Sequence, residues 1–99
     1  AVPPTAIFAS NDNTAAAVLK VAAQKKIKVP SELSVAGFDN SPISNQVWPS
    51  LTTISQPTEQ ISINGVDKLF RAIKKKPFDD IESRLTCTII KRNSTSLAD

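Results

Sequence analysis

Two apolar runs, each ending on a small polar cluster and separated by a helix-like stretch, constrain this chain more than any other feature. Thr5-Ala6-Ile7-Phe8-Ala9 stops at Ser10-Asn11-Asp12, and Leu33-Ser34-Val35-Ala36-Gly37-Phe38 stops at Asp39-Asn40. Strand, helix, strand is the order of a crossover unit, so the two strands run parallel in one sheet and end on the same side. Asn11 and Asp39 are thereby expected at the carboxyl edge, where open α/β sheets bind ligands, one strand spacing or about 5 Å apart. A carboxylate accepts hydrogen bonds, and an amide both donates and accepts. That pair suits a polyhydroxylated or amine-bearing small molecule. It points to a binding cleft rather than a reaction centre.

Composition narrows the function classes. The 99 residues make one small domain or a piece of a larger one. No apolar run approaches the ~20 residues that span a bilayer, so no membrane partner is expected. Val2-Pro3-Pro4 stands where an export signal would place a basic start and an apolar core, which points to the cytoplasm. One cysteine, Cys87, rules out an internal disulfide, and its place in the run Leu85 to Ile90 predicts a packed thiol. Histidine is absent, which removes the commonest general base and metal ligand. Two glycines cannot build a glycine-rich phosphate loop, and no cofactor is expected. The net charge of +3 comes largely from Lys25, Lys26 and Lys28 after the first helix and Arg71, Lys74, Lys75 and Lys76 at the end of the second. Cations there complement helix dipoles and stay hydrated, so this segment is not expected to touch nucleic acid directly.

The remaining elements follow from periodicity. Asp12 is the expected N-cap of a helix running to about Lys26, with Val18, Leu19, Ala22, Ala23 and Ile27 facing the sheet. Ala15, Ala16 and Ala17 give its first turns a smooth surface. Helix propensity alone accounts for that, and so does the close approach of another helix. After Asp39-Asn40 comes a polar loop with Pro42 and Pro49, whose Ile43, Val47 and Trp48 call for burial against the core or a partner. Leu51-Thr52-Thr53-Ile54-Ser55 reads as a third strand. Gln56-Pro57 ends it and opens a helix to about Lys75, with Ile61, Val66, Leu69, Phe70 and Ile73 on its buried face. Pro77 and Asp79-Asp80 make a loop, Thr86 to Lys91 is a last strand, and a polar tail follows.

Three ordered blocks then carry a family resemblance. They are Phe8-Ala9-Ser10-Asn11-Asp12, the stretch from Val29-Pro30-Ser31-Glu32 through Gly37-Phe38-Asp39-Asn40, and Pro49-Ser50-Leu51-Thr52-Thr53-Ile54-Ser55-Gln56-Pro57. Together they resemble LacI/GalR-type bacterial transcription regulators over essentially the whole chain. The resemblance implies an α/β fold, a parallel-sheet three-layer sandwich forming the last part of a type I periplasmic-binding-protein-like effector core. Residues 1–56 would belong to the C-terminal effector-binding subdomain, 57–90 would be a helix and strand crossing back to the N-terminal subdomain, and 91–99 a C-terminal tail.

The resemblance also implies residue roles. Asn11 and Asp39 match cleft positions that hydrogen-bond sugar hydroxyls or purine edges in family members, and the expected effector is a sugar. Gln56 matches a hinge between subdomains with a cleft contact, and Asp12 matches an acid whose expected role is capping. Ala16, Val47 and Trp48 fall in regions that pack across a homodimer interface. Operator DNA would be bound by a helix-turn-helix that this sequence does not include. Lys26 and Ala17 depart from the family's frequent glycines, and a left-handed lysine costs about 1 kcal/mol.

Three readings follow: a sugar-responsive regulator, a sugar-binding transport protein of the same fold, and a small α/β enzyme using Asp12, Asp39 and Asp79 or Asp80. The second and third blocks favour the regulator. Missing histidine and the lack of metal-ligand spacing weigh against the enzyme.

Overall fold

A computed structural model describes residues 2–76 and 84–98. The loop expected at Pro77 and Asp79-Asp80 lies outside them. The chain divides into two compact units, Ala1–Ser55 with Thr88–Asp99 and Gln56–Cys87. In chain order the elements are β1 (Ala6–Phe8), α1 (Asp12–Gln24), β2 (Ser34–Ala36), α2 (Ile43–Gln46), β3 (Thr53–Ser55), α3 (Thr58–Ile73) and β4 (Thr88–Ile90).

β1 and β2 are parallel, as the strand-helix-strand order requires, with Ala6 opposite Ser34, Ile7 opposite Val35 and Phe8 opposite Ala36. Thr52 continues the sheet through a parallel bridge to Ala36. β4 lies antiparallel to β3, with Thr53 opposite Ile90 and Ser55 opposite Thr88. The parallel sheet that the resemblance implies is thus joined by an antiparallel pair, and the pairing is mixed. Between β3 and β4 the chain belongs to the other unit.

The core of the first unit is small and aliphatic. Ala15, Leu19 and Ala22 of α1 are buried with Ala9, Leu33, Val35 and Leu51, and Val18 packs on their margin. Spacing of three and four residues puts those helix positions on one face. Ala23 and Ile27, expected on that face, are exposed instead. α1 ends in paired hydrogen bonds, Lys26 N to Ala23 O at 3.1 Å and Ile27 N to Ala22 O at 2.8 Å, with Lys26 at φ 59. This is a Schellman turn closed by lysine in the left-handed position that glycine usually fills. α3 ends the same way through Lys75 at φ 56.

The second unit differs most from expectation. Ile61, Val66, Leu69, Phe70 and Ile73 form the predicted stripe on α3, yet their exposure ranges from 45% to 65%. The period is right, but among the described residues this unit holds no second helix or strand to cover the stripe. Cys87, predicted to be packed, is also exposed.

Residues 92–96, read from sequence as part of a polar tail, are sewn into the first unit. Ser94 is fully buried, its Oγ donates to Val35 O and accepts from Thr52 N at 2.9 Å, and its own carbonyl accepts from Val35 N at 2.9 Å. One serine thus satisfies backbone groups of β2 and of the residue preceding β3, which have no ladder partner at that point. Asn93 N to Ser50 O at 3.0 Å and Ser96 N to Ser34 Oγ at 3.1 Å extend the seam. Ser94→Ala strands a buried N–H and a carbonyl. Urea denaturation should show a loss of about 2–4 kcal/mol, against less than about 0.5 for the exposed Ser96→Ala.

Candidate functional site

The β1–β2 register sets the site. Phe8 and Ala36 are paired, and the next residues keep step, with Ala9 N donating to Ala36 O at 2.9 Å and Asp12 N to Phe38 O at 3.1 Å. Asn11 and Asp39 each lie three residues beyond those partners, at equivalent places on one carboxyl edge. The structure brings this pair to a common rim. Gln56 opens the other unit, where its carbonyl accepts from Thr58 N at 2.8 Å.

Asn11, not Asp12, is the N-cap of α1. Its backbone is extended (φ −156, ψ 170), and Oδ1 accepts from Thr14 N at 2.8 Å. Asparagine is a strong cap because that oxygen satisfies an otherwise orphaned helix N–H. The capping bond orients the amide, whose Nδ2 is its donor group.

Asp12 has a different task. It is 1% exposed, and its two carboxylate oxygens take three hydrogen bonds. Thr53 Oγ1 donates to Oδ1 at 2.6 Å, while Ser41 N and Ser41 Oγ donate to Oδ2 at 2.7 Å and 3.0 Å. These are short, charge-assisted bonds, and the first turn of α1 adds the positive end of its dipole. Asp12 therefore ties the start of α1 to β3 and to the turn after Asp39-Asn40. A Cβ on Gly37 would collide with Asp12 Oδ1 and meet Leu51 Cδ2 at 3.0 Å, so glycine is required here by close approach.

The turn that Asp12 holds carries Asp39. Asp39 and Asn40 are both non-glycine residues at positive φ, 113 and 54. Consecutive left-handed residues are costly and persist only where surroundings impose them. Asp39 N donates to Ile54 O at 2.8 Å, and Asn40 N to Thr53 Oγ1 at 3.2 Å. Arg92 reaches the same turn: Nη2 donates to Asn40 Oδ1 at 2.8 Å, and Nη1 to Ser44 Oγ at 3.0 Å and Leu51 O at 2.9 Å. Asp39 itself is exposed. The result is an exposed residue on a braced backbone.

The three apolar-surface residues divide. Ala16 on α1 is half-buried, Val47 packs against the chain's own core, and Trp48 is 88% exposed beside a groove of about 430 Å³ walled by Ala23, Ile27, Val29 and Pro49. The loop holding Val47 contains the short helix α2, which the two prolines obscure in the sequence. Among the described residues no His, Cys, Asp and Glu cluster could hold a metal, and no helix is long and apolar enough to cross a membrane.

The role of Asp12 as a clasp, and Arg92 altogether, are what sequence reasoning missed at this edge. Thr52-Thr53 inside an apolar strand was a usable signal, since a buried hydroxyl needs a partner. Arg92 had none, because the side chains it joins are 48 and 52 residues away.

The periplasmic binding protein-like domain family matches residues 1–95. The chain belongs to that family. Its relatives are LacI-type repressors: the ribose operon repressor of Halalkalibacterium halodurans is 35% identical over 89 residues, covering 90% of this chain and 27% of the repressor. The chain thus spans about a quarter of the length of the curated relatives it matches. The transcription regulator CcpA of Lactococcus lactis superposes with a TM-score of 0.85 at 27% identity, over 93% of this chain and 34% of that one. A periplasmic binding protein/LacI transcriptional regulator from Alkaliphilus metalliredigens, complexed with D-xylulofuranose, gives 0.80 at 33% identity, over 94% and 35%. For this periplasmic binding protein-like chain, Asp12→Ala removes the acceptor of three donors, the buried Thr53 hydroxyl and the half-buried Ser41 N–H and hydroxyl. Chemical denaturation should register a loss of about 2–4 kcal/mol, and Asp12→Asn, which keeps one acceptor oxygen, less than half of it.

Proposed function

We propose that this chain is the effector-sensing part of a LacI-type transcription regulator. A sugar bound in a cleft between two subdomains modulates DNA binding by a helix-turn-helix elsewhere in the protein. The observation that carries this reading is the pair at one strand edge, Asn11 with a donor amide and Asp39 with an acceptor carboxylate, in a family whose Alkaliphilus member is complexed with a sugar. Adjacent hydroxyls of a sugar donate to Asp39 and accept from Asn11 Nδ2. Gln56 adds a cleft contact at the passage between subdomains, with residues 1–56 in the C-terminal subdomain, 57–90 crossing back and 91–99 as the tail.

The sugar acts only through its affinity difference between open and closed cleft. The protein is a cytoplasmic homodimer in this reading, with Ala16, Val47 and Trp48 at the subunit contact, because Trp48 stands almost fully exposed beside an apolar groove. It is a binding module and not an enzyme: Asp12, the acid best placed beside Asp39 for chemistry, has its carboxylate committed to Ser41 and Thr53. The relatives' names favour a repressor over a transport protein of the same fold.

Full-length protein titrated with D-ribose, D-xylulose, D-glucose and D-galactose in a calorimeter tests the reading. A charged hydrogen bond in a closed cleft is worth about 1.5–3 kcal/mol, so Asp39→Ala should weaken the sugar that binds roughly tenfold or more at unchanged melting temperature. Unaltered affinity would remove Asp39 from the site.

A further inference from the structure

Arg92 is half-buried in the first unit, yet it forms no ion pair among those described and spends its guanidinium on neutral oxygens. Those oxygens come from three places: Asn40 beside Asp39, Ser44 in α2, and the Leu51 carbonyl before β3. Its backbone N–H donates to Thr52 Oγ1 at 2.9 Å, so its main chain is fixed to the same strand that it braces. The planar fork suits this task, because the two nitrogens hold separate acceptors at a set angle.

We propose that Arg92 is a positioning residue for effector recognition, holding the left-handed Asp39-Asn40 turn in the conformation from which the Asp39 carboxylate meets the ligand. The proposal rests on the effector reading above for its functional consequence, and on the hydrogen bonds alone for its structural one. Two successive non-glycine residues at positive φ would relax toward ordinary backbone if released. Backbone bonds from Asp39 to Ile54 and from Asn40 to Thr53 hold the turn against β3, and Asp12 holds Ser41. None of these fixes the Asn40 side chain, whose Oδ1 is gripped by Arg92 and is 3.4 Å from Ser44 Oγ. Arg92 thus ties the turn to α2 from a distant segment, alongside the local bonds of Ser44 to Asn40 Oδ1 and to the Ser41 carbonyl. It also makes the C-terminal segment part of the binding edge, although that segment lies far along the chain from Asp39.

Arg92→Gln and Arg92→Lys in the full-length protein, alone and combined with Asp39→Asn, test this. Calorimetry with the same four sugars should show Arg92→Gln binding roughly tenfold more weakly, with the melting temperature of the free protein down by only a few degrees. Arg92→Lys should recover part of the affinity and not all of it, since an ammonium cannot serve both acceptors in the fork's geometry. In the Asp39→Asn background, Arg92→Gln should cost little more, because it acts through that carboxylate. Amide hydrogen exchange gives an independent reading: Asn40 and Ser41 should lose protection in both Arg92 variants while Leu19 and Val35 keep theirs. Affinity within about twofold of wild type in Arg92→Gln, or unchanged exchange at Asn40 and Ser41, would overturn the proposal. Should Arg92→Gln fail to fold, Arg92→Lys carries both measurements. If the wild type binds none of the sugars, the effector reading fails, and exchange alone decides whether Arg92 holds the turn.

Discussion

The buried carboxylate of Asp12 is the interaction on which the binding edge depends. An ionised acid out of water is tolerated only when its oxygens are saturated with donors. Here the donors are Thr53 Oγ1, Ser41 N and Ser41 Oγ, from segments 41 and 29 residues away. Satisfying Asp12 therefore brings together the start of α1, β3 and the turn bearing Asp39. It also dictates glycine at position 37, because the carboxylate occupies the space a side chain would need. Residue types that look unrelated along the chain, an acid, a glycine, a serine and a threonine, share one cause.

A second constraint comes from the sheet itself. β2 and the segment leading into β3 separate at Val35 and Thr52, leaving backbone groups that neither strand can satisfy. Ser94 fills the gap with its hydroxyl and its main chain. Hydroxyl-rich sequence at a chain end usually reads as solvated. Here the short side chain of serine reaches two backbones at once, where a longer apolar residue would leave both unsatisfied. The same segment delivers Arg92 to the Asn40 turn, so packing and site geometry are coupled through one short stretch.

The site that results is asymmetric in its chemistry. Asn11 has its oxygen engaged by the helix it caps and presents an amide donor, whereas Asp39 presents an acceptor on a backbone held at positive φ. In the effector reading proposed above, a braced pair of opposite hydrogen-bonding character would bind a polyhydroxylated guest with little reordering, because rigid placement limits the entropy lost on binding. The neighbouring surface is unlike it: Trp48 and the groove beside it are apolar.

Much of this was legible along the chain. The order of runs required β1 and β2 to be parallel, and their polar ends required Asn11 and Asp39 to share an edge, because side and direction follow from connectivity alone. The stripe on α3 was equally plain. Its exposure was not, since periodicity says which residues share a face and nothing about what covers it. Nor did local pattern assign the cap to Asn11 and burial to Asp12: both residues suit either role, and only the positions of Ser41 and Thr53 separate them. The antiparallel β4, the buried Ser94 and the reach of Arg92 to Asn40 depend on partners tens of residues distant. Sequence by itself determined direction and edge, which are local and topological. Tertiary structure decided which polar groups find protein partners and where those partners come from, because hydrogen-bond satisfaction is settled only when distant segments meet.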